Sequence, residues 1–316
     1  MSRVLITGAT GFIGRACLNS LKKTNLEIHA THRNKPLINN EISWHPCDIL
    51  NPIEVSALIN KIKPDYLLHL AWIVDHEIYW TSEKNINYIV ATIHLYKEFS
   101  LQGGKKAIFL GTCAEYDSSH SICEENTTPL NPSTLYGLCK KQTIELLTQL
   151  KCQEPSHADF SWVRLFNIYG PYEHQERLIP YLFSSYLQEK IPILESPYSI
   201  RDYIHVQNLA DILVCLLKKN SPPIINAGTG NKLSIEGLAK IIHARFFRTQ
   251  IPTYQVTNNL KKPDCFIPDL TILQKLNIQT PLSFESSLDN TFEWFKSQSP
   301  AYKKINMNCE SYDKTN

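Results

Sequence analysis

The chain has 316 residues and a mass of 36.3 kDa, enough for one large domain or two domains with buried cores. Hydrophobic residues make up 43% of it and charged residues 20%, which is the composition of an ordinary water-soluble protein. The 32 basic residues nearly balance the 30 acidic ones, so the charge gives no reason to expect a nucleic-acid or membrane partner.

The cysteine pattern and the apolar runs bear on the compartment. The nine cysteines contain no C-x-x-C pair, which argues against a disulfide framework and against a metal site. The chain enters a β pattern at Arg3 without the features of a secretory signal, and no apolar run reaches the roughly 20 residues that span a bilayer. We therefore expect a cytoplasmic protein without a metal, ending in a flexible tail over 297–316.

Short β-branched runs alternate with helical patterns in the first half of the chain. Helical spacing is seen, for example, over 83–99. The apolar runs that fit strands covered on both faces are 3–7, 27–31, 66–70, 106–110 and 162–166. This alternation predicts an α/β fold of the Rossmann type, a doubly wound parallel sheet with right-handed crossovers.

Prolines interrupt this rhythm after Gly170-Pro171, which indicates a second, smaller domain. The apolar run 201–206 and the helical pattern 209–218 resemble a return to the sheet, so the boundary is discontinuous. We expect a Rossmann domain over 1–168 plus about 201–228, and a smaller C-terminal domain over 169–200 and 229–296.

A glycine-rich turn joins the first predicted strand to a helical pattern. Its sequence is Gly8-Ala9-Thr10-Gly11-Phe12-Ile13-Gly14. In such a turn the first glycine permits the bend, the second lets a pyrophosphate approach the backbone, and the third lets the helix pack on the strand. The free amides at the helix start face the anion. A flexible turn is the alternative, but the position after the first strand favours a dinucleotide site.

This G-x-x-G-x-x-G turn, with Thr7 before it, resembles the short-chain dehydrogenase/reductase family in its extended, sugar-nucleotide-modifying branch. The resemblance implies that the turn binds the cofactor through Gly8, Thr10, Gly11, Phe12, Ile13 and Gly14. It also implies that Asp48 and Ile49 lie at the adenine, and Leu70 and Ala71 at the cofactor ribose. The alternatives are that Asp48 caps a helix before Pro52 and that the neighbouring His69 is a core histidine.

The second predicted strand ends in Thr31-His32-Arg33-Asn34, where an NAD-binding protein typically has an acidic residue for the ribose hydroxyls. A carboxylate would repel the 2′-phosphate of NADP, whereas a guanidinium binds it through two charge-assisted hydrogen bonds. Arg33 therefore favours NADP, with NAD as the alternative cofactor. If Arg33 is a solvated loop residue, it carries no such preference.

Tyr136 and Lys140 form a Y-x-x-x-K match, which places both side chains on one helix face. Chance alone gives about one such match in this composition, and Tyr186 with Lys190 is a second. Tyr136 is the one that follows a strand ending in Thr112, the order that the extended family has. The resemblance implies that Thr112, Tyr136 and Lys140 are catalytic and that the last two also bind the cofactor. We expect the Lys140 ammonium to lower the pKa of the phenol.

Two reactions of the extended family are disfavoured by the residues after Thr112. The 4,6-dehydratases carry Asp-Glu there, where this chain has Cys113-Ala114. The fucose-synthase-like enzymes use a Cys at the position of Ala114 and a His at the position of Arg177. A reductase of nucleotide-linked 4-keto-(6-deoxy)hexoses is favoured, and a 4-epimerase that retains its cofactor is the alternative. A non-catalytic NADP-binding sensor or scaffold is a third possibility.

The resemblance continues through the second half, in the segments 164–171, 201–206 and 226–230. It implies that the smaller domain binds a nucleotide-sugar, and that the helices over 83–99 and 133–150 pair in a homodimer. Asn167 as a turn residue and Arg201 in a surface ion pair are the alternatives. The expected substrate contacts are Thr112, Cys113, Asn167, Arg177, Leu178 and Arg201.

Overall fold

A computed structural model describes residues 1–33, 41–73, 75, 78–247, 253–257 and 264–298. Asn34 and residues 299–316 of the predicted tail lie outside the described residues. The chain divides into two compact units. The first comprises 1–168, 200–232 and 264–280, and the second comprises 169–199, 233–263 and 281–316.

Strands and helices alternate along the chain. The strands are β1 (Arg3–Thr7), β2 (Glu27–His32), β3 (Ser43–Pro46), β4 (Tyr66–His69), β5 (Lys106–Thr112), β6 (Ile122–Cys123), β7 (Asp159–Leu165), β8 (Asn167–Tyr169), β9 (Ile193–Leu194), β10 (Ile200–Arg201), β11 (Tyr203–His205), β12 (Ile224–Ala227), β13 (Leu233–Ser234), β14 (Gln255–Val256) and β15 (Cys265–Pro268). The helices are α1 (Phe12–Leu21), α2 (Pro52–Ile62), α3 (Lys84–Leu101), α4 (Leu135–Gln153), α5 (Leu178–Leu187), α6 (Val206–Leu216), α7 (Ile235–Ile242), α8 (Thr271–Lys275) and α9 (Phe284–Gln298). A 3-10 turn covers Cys113–Glu115 and a π-helical turn covers His243–Phe247.

The first unit is built on a seven-stranded sheet in the order β12-β7-β5-β4-β1-β2-β3. All its neighbouring strands run parallel. In the register, Thr7 of β1 lies opposite His69 of β4, and His69 lies opposite Phe109 of β5. The carboxyl ends of these three strands therefore meet at one edge of the sheet, which is where ligands bind in open α/β sheets.

Apolar side chains cover both faces of this sheet. In β1, Val4 and Ile6 belong to the core shared with α1 and α6, whereas Leu5 belongs to the core shared with α2, α3 and α4. Each of these three side chains is fully buried, which stabilises the fold by about 1.5–3 kcal/mol per residue. The predicted Rossmann-type, doubly wound parallel sheet is confirmed.

The strand that returns to the main sheet is not the one that the sequence indicated. Residues 201–206 supply β11 and the first residue of α6, and β12 is the strand that pairs with β7, with Ile224 opposite Trp162. Residues 200–232 do belong to the first unit, but β11 pairs with β8 outside the main sheet. The apolar part of β12 is only two isoleucines long between Pro223 and Asn226, too short to show a strand period.

Aromatic side chains form the core of the second unit. Phe246 stacks on Phe292 with ring centroids 4.3 Å apart, and Phe183 lies 5.1 Å from Phe292. Tyr186 is buried in this unit, and its hydroxyl donates to the carbonyl of Thr253 at 2.6 Å. The tyrosine of the second Y-x-x-x-K match is thus part of the packing of this unit.

Candidate active site

Thr112 is the last residue of β5 and the N-cap of the 3-10 turn that follows. Its hydroxyl accepts a hydrogen bond from the backbone N–H of Ala114 at 3.2 Å. In return the Glu115 carboxylate accepts the backbone N–H of Thr112 at 2.8 Å, which completes a capping box. The hydroxyl is therefore held at the carboxyl edge of the sheet by the turn's own hydrogen bonds.

The phenol of Tyr136 reaches this strand end. Thr112 lies close enough to the Tyr136 phenol to act on its pKa as a hydrogen-bond partner, so the structure brings the two predicted catalytic hydroxyls together. The phenol ring is edge-on to Tyr79, at 5.1 Å between centroids, and to Trp80, at 5.6 Å. The backbone N–H of Tyr136 donates to the carbonyl of Trp80 at 3.1 Å, which fixes the start of α4 against this aromatic pair.

The close approach of α4 to the 3-10 turn depends on Gly137. A Cβ at this position would lie 2.3 Å from the carbonyl oxygen of Ala114, well inside contact distance. Thr134 caps the helix by accepting the N–H of Gly137 at 3.1 Å. A glycine directly after Tyr136 thus lets the helix bring the phenol to Thr112.

Lys140 lies one helical turn beyond Tyr136 and is 5% exposed. Its ammonium donates to the carbonyl of Leu110 at 2.8 Å and lies 3.6 Å from the centroid of the Trp72 ring. The ring of Tyr136 is 5.9 Å away. This contact with an aromatic face and a single carbonyl partly replaces the water that burial removes.

Burial sets the pKa values of both groups. It raises the pKa of the Tyr136 phenol far above its usual value, although the hydrogen bond to Thr112 works in the opposite direction. It also lowers the pKa of Lys140 to about 7, with the Glu115 charge acting to raise it. Burial is thus the largest effect on the phenol, and it acts against the lowering of the pKa that we expect from the Lys140 ammonium, which stays a prediction.

The glycine-rich turn has the geometry of an anion site. Gly8 has a φ of +70°, and a Cβ on Gly14 would lie 2.2 Å from the carbonyl oxygen of Gly8, so α1 packs directly on the turn. Gly11 is the N-cap of α1, and no side chain caps the amides of Phe12 and Ile13. Thr10 accepts the side chain of Arg15 on its carbonyl at 2.9 Å. Because no side chain caps them, the first amides of α1 fit the diphosphate of a dinucleotide.

The end of β4 lies against the same turn. A Cβ on Gly8 would come within 2.8 Å of the Ala71 nitrogen and 2.9 Å of the Leu70 carbonyl carbon. His69 is buried and shares hydrogen bonds with Thr7 at 2.7 Å and Thr92 at 3.0 Å. Burial lowers its pKa to about 3, which agrees with the core-histidine interpretation.

The end of β2 carries the residues predicted to select the cofactor. Arg33 is exposed, and the Nδ1 atom of its neighbour His32 is buried without a hydrogen-bond partner. The N–H of Cys47 donates to the carbonyl of His32 at 3.1 Å, so Asp48 follows directly beside this strand end. A buried nitrogen without a hydrogen-bond partner next to an exposed guanidinium suits a bound phosphate.

Asp48 and Ile49 occupy the turn before α2. The Asp48 carboxylate accepts the backbone N–H of Leu50 at 3.0 Å, and Ile49 is buried. The helix is capped by Asn51, whose side chain accepts the N–H of Ile53 at 3.1 Å. The alternative in which Asp48 caps this helix is therefore wrong.

The predicted substrate residues of the first unit are already engaged with protein groups. Cys113 begins the 3-10 turn beside Thr112. Asn167 donates to the carbonyl of Asp202 at 3.1 Å. Nη2 of Arg201 donates to both carboxylate oxygens of Asp264, at 2.8 and 2.9 Å. This agrees with the alternative in which Arg201 forms an ion pair. A phosphate would have to compete with this carboxylate for Arg201.

In the second unit, Arg177 is the N-cap of α5 and Leu178 its first residue. The Arg177 guanidinium pairs with Glu173 at 3.0 Å and keeps 38% of its side-chain surface exposed. Burial raises the pKa of Glu173 to about 7. The site roles of all these residues remain predictions.

One pair of buried charges was not predicted. Glu115 and Arg164 form a 2.8 Å ion pair in which both side chains are fully buried. The S/T-x-x-E pattern from Thr112 to Glu115 was a signal for the capping box. The partner of this carboxylate could not be identified, because Arg164 lies 49 residues further along the chain.

The described residues offer neither a metal cluster nor a membrane-spanning helix. Across the described part of the chain, no cluster of three or more His, Cys, Asp or Glu side chains is placed to bind a metal ion. None of the helices in that part has the length and apolar character that a membrane span needs.

Similarity to known proteins identifies the family of this chain. The sequence profile of the NAD dependent epimerase/dehydratase family matches residues 4–228. The chain belongs to this family. It is therefore an enzyme of the short-chain dehydrogenase/reductase class, and the resemblance inferred from the glycine turn is confirmed.

Relatives within the epimerase/dehydratase family have several activities. A UDP-glucose 4-epimerase of Cyamopsis tetragonoloba is 28% identical over 258 residues, which cover 68% of this chain and 71% of the relative. A dTDP-4-dehydro-6-deoxyglucose reductase of Escherichia coli is 25% identical over 274 residues, covering 80% and 84%. The structure of a Thermotoga maritima UDP-glucose 4-epimerase with UDP-glucose, at 18% identity, matches with a TM-score of 0.81 over 93% of this chain and 99% of that one.

Proposed function

We propose that this protein is an NADP-dependent oxidoreductase that reduces the 4-keto group of a nucleotide-linked hexose, most suitably a 4-keto-6-deoxyhexose. The observation that carries the proposal is the approach of the Tyr136 phenol to Thr112 at the carboxyl end of β5, with Lys140 one helical turn beyond Tyr136. This is the arrangement that hydride transfer to a carbonyl requires, a donor for the substrate oxygen and a proton for the alkoxide.

A bound nicotinamide would supply the hydride in this reaction. Thr112 would hold the substrate oxygen, and Tyr136 would release its phenolic proton to that oxygen as negative charge develops on it. The burial that raises the pKa of Tyr136 keeps the phenol protonated at neutral pH. A protonated phenol suits reduction, because the oxidising direction would require it to accept a proton instead.

The residues next to Thr112 support a simple reduction. Cys113 and Ala114 offer no carboxyl group for the removal of water. The nearby carboxylate of Glu115 is fully buried and paired with Arg164, so it is not available to a substrate. The relative from Escherichia coli is named as a reductase of a dTDP-linked 4-keto-6-deoxy sugar, which is the same class of substrate.

NADP is proposed as the cofactor because of the end of β2. His32 stands where an acidic residue would select NAD, and the exposed Arg33 follows it. The buried, unpartnered Nδ1 of His32 would gain a hydrogen-bond partner from a 2′-phosphate. The remaining predicted contacts are the glycine turn, Asp48, Ile49, Leu70 and Ala71, together with Tyr136 and Lys140.

For the second unit we propose the binding of the nucleotide-sugar, through Arg177 and Leu178 at the start of α5. Arg177 is half exposed and paired with a carboxyl whose pKa is raised, so its guanidinium can exchange partners. In the first unit, the proposed substrate contacts are Thr112, Cys113, Asn167 and Arg201. We propose a cytoplasmic location for this chemistry.

A homodimer is proposed from the exposed apolar residues of two helices that pack together, α3 and α4. Ile86 and Val90 lie one turn apart on α3 and are 50% and 67% exposed. Leu138 and Leu146 lie two turns apart on α4 and are 44% and 45% exposed. Apolar rows of this kind are typical of surfaces that a second copy covers.

A 4-epimerase that retains its cofactor is the second candidate, favoured by the names of relatives such as the one from Cyamopsis tetragonoloba. Incubation of the protein with NADPH and a panel of nucleotide-linked 4-keto-6-deoxysugars, with mass detection, distinguishes the two. A reductase yields a product about 2 Da heavier and consumes NADPH. An epimerase converts nucleotide-linked hexoses into isomers of equal mass without net cofactor consumption, and that result would overturn the proposal.

A further inference from the structure

The Glu115 carboxylate connects three parts of the first unit. One oxygen, Oε1, accepts the backbone N–H of Thr112 at 2.8 Å and the indole N–H of Trp162 at 2.9 Å. The other, Oε2, accepts Nε of Arg164 at 2.8 Å. The side chain has no exposed surface, so every one of these bonds is formed away from water.

Arg164 is held in place independently of Glu115. Its Nη1 donates to the hydroxyl of Tyr116 at 2.9 Å and to the carbonyl of Glu125 at 3.3 Å. Tyr116 in turn donates to Asn226 at 2.8 Å. These hydrogen bonds hold the Arg164 guanidinium in place. The network therefore fixes the Glu115 carboxylate relative to β5 and β7.

The Lys140 ammonium lies 5.7 Å from the centroid of the Trp162 ring, whose indole N–H donates to Glu115 at 2.9 Å. The titratable groups that face Lys140 are Tyr136 on its own helix, Glu115 on the 3-10 turn and His69 on β4. Tyr136 and His69 are both neutral at pH 7, because burial raises the pKa of the first and lowers that of the second. The charge on Glu115 acts to raise the pKa of Lys140, against the larger effect of burial.

Building on the proposed hydride chemistry, we propose that Glu115 is a positioning residue of the active site. Its buried carboxylate fixes Thr112 at the strand end, and its negative charge acts on Lys140 from the other side of the Trp162 indole. The family's 4,6-dehydratases place their carboxyls at the two positions that Cys113 and Ala114 occupy here. Glu115, one position further along, faces the protein instead and acts on the reaction through its neighbours.

The substitution Glu115→Gln separates charge from position. A glutamine oxygen can still accept the N–H groups of Thr112 and Trp162, whereas the negative charge is lost. Glu125→Gln is the matched control, because Glu125 is also buried, 7% exposed, and accepts a backbone N–H, that of Asn226 at 2.8 Å. A purely structural role predicts similar behaviour of the two variants.

The direct measurement is the titration of Lys140 by NMR in the full chain labelled with 13Cε-lysine. Its resonance is assigned by its loss in Lys140→Met. We expect the Glu115→Gln variant to lower the Lys140 midpoint by about one pH unit or more, because it removes an opposite charge. Glu125→Gln should leave the midpoint at its wild-type value. An unchanged midpoint in Glu115→Gln overturns the proposal.

This titration needs neither cofactor nor substrate, so its result stands even if no nucleotide-linked sugar is turned over. Where turnover is found, the loss of kcat at high pH should move to lower pH by the same interval in Glu115→Gln. If this variant does not fold, the double variant Glu115→Gln/Arg164→Met removes both buried charges together, which is usually milder than leaving one unpaired. Because the loss of the Arg164 cation acts to raise the Lys140 midpoint, the midpoint of the double variant is compared with that of Arg164→Met, and equal midpoints overturn the proposal.

Discussion

The buried surroundings of Lys140 favour the neutral form of its amine. Its ammonium has one carbonyl, from Leu110, and the face of Trp72 as close partners. Burial lowers its pKa to about 7, so the protein loses stability in order to keep an amine at this position. Such losses are typical of catalytic sites, where a residue is retained for chemistry rather than for packing.

The substitution Lys140→Met should therefore stabilise the protein in a pH-dependent manner. The pKa of Lys140 is about 7 in the folded chain against 10.5 as its ordinary value, so between these pH values the unfolded chain binds the extra proton. The free energy of unfolding of the wild type therefore rises with pH over this window. The variant has no amine at this position, so its free energy of unfolding lacks this rise. We expect its advantage to be several kcal/mol at about pH 6 and to shrink towards about pH 10.

Urea unfolding at several pH values measures this difference. Lys141→Met is the control, since Lys141 is partly exposed and donates to the carbonyl of Leu130 at 3.1 Å. The change in the free energy of unfolding that Lys141→Met causes should not depend on pH in this way. A pH-independent difference for Lys140→Met would show that the amine is not desolvated.

Arg33 should determine the choice between the two nicotinamide cofactors. Arg33→Ala is expected to weaken NADPH binding about 10- to 100-fold, because charge-assisted hydrogen bonds contribute about 1.5–3 kcal/mol. The affinity for NADH, which has no 2′-phosphate, should not change. Titration calorimetry with both cofactors measures this, and an equal loss for the two would mean that Arg33 does not contact the phosphate.

At the residue scale, the sequence predicts local features well and distant pairs poorly. The glycine turn and the tyrosine-lysine spacing are readable because each lies within a few residues of one turn or helix. The Glu115–Arg164 pair cannot be predicted from the sequence, because Glu115 lies on the 3-10 turn and Arg164 on β7. The raised pKa of Tyr136 also escaped prediction, since it depends on burial by Tyr79, Trp80 and other distant residues.

At the level of elements, the seating of α4 on the 3-10 turn decides where Tyr136 lies. Gly137→Ala would place a Cβ 2.3 Å from the Ala114 carbonyl oxygen and force the helix away. We expect a cost of about 1–3 kcal/mol in stability and a larger loss in kcat than in cofactor affinity. Thermal unfolding and NADPH titration measure the two effects.

The control for this substitution is Gln142→Ala, an exposed position on the same helix whose side chain donates to Glu145 at 2.8 Å. It should change neither kcat nor stability by a comparable amount. If Gly137→Ala retains wild-type kcat, the close contact between α4 and the turn is not needed for catalysis.

The strands of the main sheet were predicted where their apolar run is long. β1 agrees in both bounds, and β5 continues two residues beyond the predicted end, to Thr112. β3 and β12 were missed because neither contains more than two consecutive apolar residues, too few to indicate a buried strand. Pairing with a neighbouring strand, which the sequence does not display, is what makes these segments strands.

For the whole molecule, the proposed dimer rests on the exposed apolar residues of α3 and α4. Val90→Glu should convert a dimer into a monomer, because it places a charge at a position that is 67% exposed in the single chain and covered in the pair. Size-exclusion chromatography with light scattering measures the mass. Ile53→Glu on α2, at a position that is 79% exposed, is the control and should leave the mass unchanged.

A wild-type mass of about 36 kDa would show that the chain is a monomer and contradict this assembly. The fold class followed from the alternation of strands and helices, which is a property of the whole chain. The assembly state did not follow from the apolar spacing of α3, because this spacing does not show which of the apolar side chains stay exposed in the folded chain.

The central claim is that Tyr136 supplies the proton when hydride reaches the substrate. Single-turnover kinetics compare Tyr136→Phe with Tyr186→Phe, the tyrosine of the second Y-x-x-x-K match, buried in the second unit. The account predicts a loss of about 10²- to 10⁴-fold in the rate of hydride transfer for Tyr136→Phe, with NADPH affinity retained, and a near wild-type rate for Tyr186→Phe. Hydride transfer at the wild-type rate in Tyr136→Phe would contradict it.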